Sequence, residues 1–167
     1  PLIDPDRFLD RWVGFFGRIF TWYGFVLWVL LLTAGGYFAV THWGQLAAQS
    51  EQVFSAQHLA ANLPLLYLSF VIIKVIHEFG HAFACKRFGV VTGTGGEVHA
   101  MGVMFLVFTP MPYVDASSAW AFRSKGRRAL VGAAGMLVEL AVASVACVVW
   151  ANTAHPDVRA LTYNMMF

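Results

Sequence analysis

The sequence predicts an all-α polytopic membrane protein. About four transmembrane helices are expected, the last one cut off, with a short β-hairpin-like re-entrant insert between the second and third. Three observations carry this. Hydrophobic residues make up 59% of the 167 residues and charged residues only 12%, against roughly 45–50% and 25% in soluble domains. The apolar residues gather into runs of about 20, the length that crosses a bilayer. Between two of these runs lies a stretch broken by glycine and proline and rich in β-branched and aromatic residues, which suits strands better than a span.

Residues 1–21 form an amphipathic lead-in. Asp4, Asp6 and Asp10 interleave with Arg7 and Arg11, unlike the basic start of a signal peptide. Phe8, Trp12, Phe15, Phe16, Ile19 and Phe20 recur at helical spacing. That pattern fits a helix in the membrane interface and equally a helix packed against the first span.

Residues 22–167 make up the membrane domain. The first span covers about 22–40, bounded by aromatics and free of charge, with Gly35 and Gly36 for close helix approach. A polar loop follows over about 41–57. The second span runs from about 59 to 88, with Pro64 in its first turns and Gly89 as its stop. Gly93, Gly95 and Gly96 then lead into Glu97–Pro110, a strand or hairpin segment that Pro110 and Pro112 are expected to end. Non-helical backbone at membrane depth needs protein or a wet cavity around it. The third span covers about 129–151, and Gly132 and Gly135 allow close packing. A fourth begins near 161. The chain opens without Met and closes inside an apolar run, so it reads as a piece of a longer protein. Cys85 and Cys147 both sit in apolar stretches and read as reduced core residues.

The net charge of +2 matters less than its placement. Arg7, Arg11 and Arg18 precede the first span. Lys86, Arg87, Arg123, Lys125, Arg127 and Arg128 lie between the second and third, and only Arg159 follows the third. The positive-inside rule then places the N-terminus and the 89–126 loop in the cytoplasm. Basic residues placed where topology wants them give no sign of nucleic-acid binding.

Late in the second span stands His77-Glu78-Phe79-Gly80-His81, a His-Glu-x-x-His motif. Residues four apart on a helix are offset by about 40° with Cβ atoms roughly 5–6 Å apart, so both imidazoles reach one metal ion. Glu78 lies beside them, where it can take a proton from metal-bound water. Two imidazoles and a carboxylate in an apolar span are costly to bury, which favours a functional reading over a structural one. A catalytic Zn2+ takes three protein ligands and leaves one position open. Asp115, after the Pro110–Val114 turn, is the third-ligand candidate; its alternative is a turn carboxylate ahead of Ser117 and Ser118. Lys74 precedes His77 by one turn and either stabilises an oxyanion or pairs with Glu139 in the third span. Glu139 thus stands as a supporting carboxylate. His99 reads as a lining or surface histidine, and Cys85 as a packed residue one turn beyond His81.

The segment Ile76–Ala82 resembles the motif of the site-2 protease family of intramembrane zinc metalloproteases. The glycine-rich insert after it, and Val131-Gly132-Ala133-Ala134-Gly135-Met136-Leu137-Val138-Glu139, are similar to that family's insert and to its Ala-Gly-Pro-x-x-Asn helix. Thr109-Pro110-Met111-Pro112-Tyr113-Val114-Asp115, with Arg127 and Arg128, resembles the bacterial putative peptide zinc metalloprotease branch. The resemblance covers about residues 60–150. It implies an enzyme in the bacterial inner membrane, with Zn2+ on His77, His81 and one carboxylate and Glu78 as general base. The implied substrate is a membrane-embedded or membrane-proximal peptide. The chain departs from the pattern at Met136 and Glu139, where the family has Pro and Asn. It also lacks the family's later Asn-Pro…Asp-Gly ligand motif before Phe167, so the third ligand is either Asp115 or a residue beyond the chain. Two other readings stand beside this one. A catalytically silent membrane subunit or adaptor of a peptide export or maturation complex fits the missing ligand and Glu139. A membrane di-iron oxygenase shares His-x-x-x-His but needs more clustered histidines than the six available.

Overall fold

The computed structural model describes residues 1–55, 58–107 and 109–166. Ala56 and Gln57 of the expected polar loop, Phe108 of the expected hairpin run and Phe167 of the expected fourth span lie outside the described residues. The fold is mostly helical, at 75%, with one small antiparallel sheet. Helix α1 (Asp6–Phe16) passes through a short 3-10 turn (Gly17–Phe20) into α2 (Trp22–Thr41); α3 (Trp43–Val53) and α4 (Leu59–Thr92) follow. Strands β1 (Met101–Leu106) and β2 (Thr109–Val114) come next, then a 3-10 turn (Ser117–Ala121), α5 (Lys125–Asn152) and α6 (Pro156–Asn164).

Three helices, α2, α4 and α5, are long and apolar enough to cross a membrane. They correspond to the first three expected spans. The expected fourth span is not borne out among the described residues: position 161 falls inside α6, whose nine residues extend only roughly 14 Å. Pro156 starts that helix, and its last turn carries the polar side chains Thr162 and Asn164, which are buried. The expected polar loop over 41–57 also differs, because α3 occupies most of it. Its run Gln45-Leu46-Ala47-Ala48-Gln49 consists of good helix formers.

Gly89 does not stop α4, which continues to Thr92. The stop is Gly93, at φ +70, a left-handed conformation that costs glycine nothing. Its N–H returns to the Gly89 carbonyl at 2.8 Å. Glycine at 89 serves another purpose, since a Cβ there would collide with the backbone of Gly95 and Gly96. Nor do Pro110 and Pro112 end the strand run; both lie inside β2. They pair with Phe105 and Val103. The Asp115 N–H donates to the Ala100 carbonyl at 2.8 Å, and alternation from that bond turns the backbone nitrogens of both prolines away from β1. No ladder bond is lost, and the outer edge of β2 is blunted.

The chain forms two compact units. One comprises 1–28 and 74–139, the other 29–73 and 140–167. The first holds an apolar core that includes Leu9, Ala82, Phe83, Phe88, Val98, Phe122 and Val131. Its N-terminal segment is fastened in two places. Leu2 and Ile3 donate to the Met101 carbonyl (2.9 and 3.1 Å), and the Met101 N–H donates to the Ile3 carbonyl (3.1 Å). Buried Lys86 meets Asp6 at 2.7 Å and Asp10 at 2.9 Å, and Asp6 also accepts the Val98 N–H at 2.8 Å. A buried ammonium so matched is no longer an unpaired charge.

In the second unit Gly35 packs against Ser144 so closely that a Cβ would lie 2.7 Å from the Ser144 Cβ. Cys147 Sγ donates to the Gly35 carbonyl at 3.5 Å. Trp150, fully buried, donates its indole N–H to Gln49 (2.8 Å) and carries Arg159 over its ring at 4.6 Å.

Asp4 and His99 supply a pH-dependent contact outside the spans, at 3.1 Å. The hydrogen bond that His99 donates to the Asp4 carboxylate raises the imidazole above its usual titration range. The folded protein therefore holds that proton more tightly than the unfolded chain. The contribution is full below about pH 6.5 and is lost as pH rises through the raised value. In a histidine NMR titration Asp4→Asn should return His99 towards its ordinary range; a titration unchanged by the substitution would show that the contact does not form in solution.

Candidate functional site

The first unit gathers four of the expected residues around His77. Helix periodicity puts Lys74, His77, Glu78 and His81 within two turns of α4. His81 Nδ1 lies 2.7 Å from the Val131 carbonyl oxygen in α5. That oxygen only accepts, so Nδ1 donates and Nε2 of the neutral ring presents a lone pair. His77 Nδ1 lies 3.0 Å from Glu139 Oε1. The approach is off the line of an aligned N–H, so the two atoms are in contact without a formed hydrogen bond. The same Oε1 takes Lys74 Nζ at 2.6 Å. Glu139 thus sits between an ammonium and an imidazole, and the Lys74–Glu139 pairing expected from the sequence is present.

The two Nε2 atoms stand 3.0 Å apart. His81 Nε2 presents its lone pair there, and His77 Nε2 lies within hydrogen-bonding distance of it. A proton on His77 Nε2 or a shared cation would each hold the two nitrogens at that distance. Two nitrogen ligands at about 2.0–2.1 Å on a tetrahedral zinc would be roughly 3.3 Å apart, only a few tenths more than observed. A carbonyl and a carboxylate against the far ring nitrogens is also the usual support for metal-bound histidine. The pair fits two positions of a metal site.

The third position is not supplied. Among the described residues no third His, Cys, Asp or Glu joins the pair in a group able to hold a metal ion. Asp115 is exposed and caps the turn after β2, its Oδ1 accepting the Ser117 N–H at 2.9 Å. Hydrogen bonds from the Ser117 side chain and amide hold its carboxyl below the usual range. It therefore takes the turn-cap role that stood as its alternative. Cys85 is buried, with its sulfur 3.3 Å from Ser118 Oγ, and His99 faces Asp4 at the exposed N-terminal segment.

Glu78 and His81 line an open cleft of about 670 Å³, together with Ser117, Trp120, Arg128 and Gly132. From the sequence Arg128 counts towards topology and the family resemblance, with no place at the site. In the fold its Nη1 donates to the Phe122 carbonyl at 2.5 Å and its guanidinium lies 5.9 Å from the Trp120 ring centre. An arginine so oriented brings fixed positive charge into the cleft beside Glu78. Only the neighbouring Arg127-Arg128 pair in the sequence hinted at it.

Two α5 glycines separate structure from site. A methyl group at Gly135 would overlap the His77 imidazole, whereas nothing lies within 4 Å of one at Gly132. Gly135→Ala should displace His77, cost about 1–3 kcal/mol and weaken divalent metal binding at least tenfold. Gly132→Ala should leave the fold intact or stabilise it by about 0.5–1 kcal/mol. Thermal unfolding and metal titration of both variants check this; equal metal affinity in the two would remove His77 from the site. Comparison with protein-family models, curated proteins and solved structures finds no match to this chain.

Proposed function

We propose that this chain carries the catalytic motif of an intramembrane zinc metalloprotease that hydrolyses membrane-embedded or membrane-proximal peptides. The observation that carries the reading is the convergence of His77 Nε2 and His81 Nε2 at 3.0 Å beside a cleft that Glu78 lines. His77 and His81 would hold the ion, with a third ligand still to be identified. Bound there, zinc supplies Lewis-acid polarisation and an acidified water. Glu78 takes the proton of the attacking water and returns it to the leaving amine. Val131 and Glu139 hold the two imidazoles in place. Lys74 neutralises Glu139, so the carboxylate can face His77 without an unpaired charge in the span.

The hairpin supports a mode of substrate binding. The β2 edge is proline-blocked, while β1 is open beyond Met101: Val103 and Phe105 turn their N–H and C=O groups away from β2, opposite Pro112 and Pro110. An extended peptide pairing there would expose carbonyls that a helical substrate hides. A second reading, a catalytically silent membrane subunit, is favoured by one observation: Asp115 caps its own turn instead of meeting the histidines.

Elemental mass spectrometry of the purified protein tests the metal. Near-stoichiometric zinc in the wild type and its loss in His77→Ala/His81→Ala is the expected result. Zinc retained in the double variant would refute the site. Glu78→Gln should keep the metal and lower peptide hydrolysis by 10² or more, whereas hydrolysis equal to wild type would exclude Glu78 as base. Val103→Pro removes no ladder hydrogen bond and should leave the hairpin folded while lowering kcat/KM at least tenfold. Unchanged kcat/KM would rule out pairing on β1.

A further inference from the structure

Helix α1 has three distinct stripes. At about 100° per residue, Leu9, Val13 and Asp6 fall on one side, and Leu9 is fully buried. Phe8, Trp12 and Phe15 fall on a flank roughly 90° away and stay 46%, 42% and 65% exposed. Arg7 and Arg11 lie opposite Leu9 and are exposed, as is Arg18 just beyond the helix. The acids of α1 are drawn the other way, since Asp6 and Asp10 both meet Lys86. Among the described residues none of the three arginines forms a salt bridge. The helix therefore shows an aromatic flank beside a stripe of net positive charge.

The chain also fixes where that flank sits. Only the four-residue 3-10 turn and Thr21 separate α1 from Trp22, the first residue of α2. Four such residues advance roughly 8 Å, so the end of α1 is held near the plane where α2 enters the bilayer. Trp22 and Tyr23 at that entry are 71% and 85% exposed, as aromatic residues at a membrane boundary are. The aromatic flank is thus continuous with a membrane-spanning surface.

From these observations we infer that α1 lies in the headgroup region of the leaflet that α2 enters, with Phe8, Trp12 and Phe15 in the acyl boundary and Arg7, Arg11 and Arg18 binding anionic phospholipid headgroups. The inference does not depend on the metal site, yet the two are in contact. Phe8 packs on Phe79 at 5.9 Å and Phe16 on Phe83 at 4.9 Å, and Phe79 lies inside the His-Glu-x-x-His segment. A change in the seating of α1 would reach that segment directly.

The test places a fluorophore on Gly14→Cys, where the surroundings are open, and separately on Phe15→Cys. Cys85 and Cys147 are buried, so labelling stays at the new thiol. The full chain is reconstituted in phosphatidylcholine nanodiscs that carry a shallow nitroxide on either phosphatidylglycerol or phosphatidylcholine. At low salt the phosphatidylglycerol quencher should be enriched about fivefold for each arginine that engages it. The preference should fall to parity in Arg7→Gln/Arg11→Gln/Arg18→Gln and at high salt. Equal quenching by the two lipids at low salt would overturn the anionic-lipid contact. Absence of quenching by either would overturn the interfacial placement and show the flank covered by protein, such as a second copy of the chain.

Discussion

Gly80 and Gly135 allow α4 and α5 to touch nearly backbone to backbone in the first unit. A Cβ at Gly80 would stand 3.0 Å from the Ala134 carbonyl, and one at Gly135 would overlap the His77 ring. Each missing methyl removes a barrier to van der Waals contact, the main attraction left between helices in lipid. At that separation the Val131 carbonyl reaches His81 and the Glu139 carboxylate reaches His77. A looser crossing would leave both imidazoles free to rotate. The candidate site is in this sense a product of helix packing and not of the motif alone.

The same contact explains how strongly polar residues are tolerated in an apolar helix. Lys74, Glu139 and His77 neutralise and orient one another, and His81 uses a backbone oxygen. Removing one member would leave a charge of the others unmatched between two apolar helices. Glu78 and His81 also line the cleft, and His81 meets His77 through Nε2. Structural neutralisation and chemical function thus fall to different atoms of the same residues.

Much of this was legible beforehand. The three long apolar helices, the hairpin after Gly96, the Lys74–Glu139 pair and the placement of His77 and His81 on one helix face follow from local periodicity and charge. The misses have local causes too. Gly89 looked like a helix stop, but the left-handed turn falls at Gly93, and Gly89 is small to let Gly95 and Gly96 pass. Pro110 and Pro112 looked like strand breakers, because a sequence does not state which edge a nitrogen faces. Position 161 looked like a span onset, because a few apolar residues cannot be told from the buried face of a short helix such as α6.

The sequence by itself determined the membrane character, the helix faces and the His-Glu-x-x-His geometry, because hydrophobic run length and helical period act over a few turns and need no partner. Tertiary structure alone decided what each polar residue does. Asp115 became a turn cap, its Oδ1 accepting the Ser117 amide. Glu139 became the support of His77, and Arg128 entered the cleft, its guanidinium fixed by the Phe122 carbonyl and set beside Trp120. The Glu139–His77 contact joins two different helices, whereas Asp115 and Arg128 take partners close by in the chain. In each case the partner is set by which groups the folded backbone brings within reach, and helical or strand periodicity does not encode that distance.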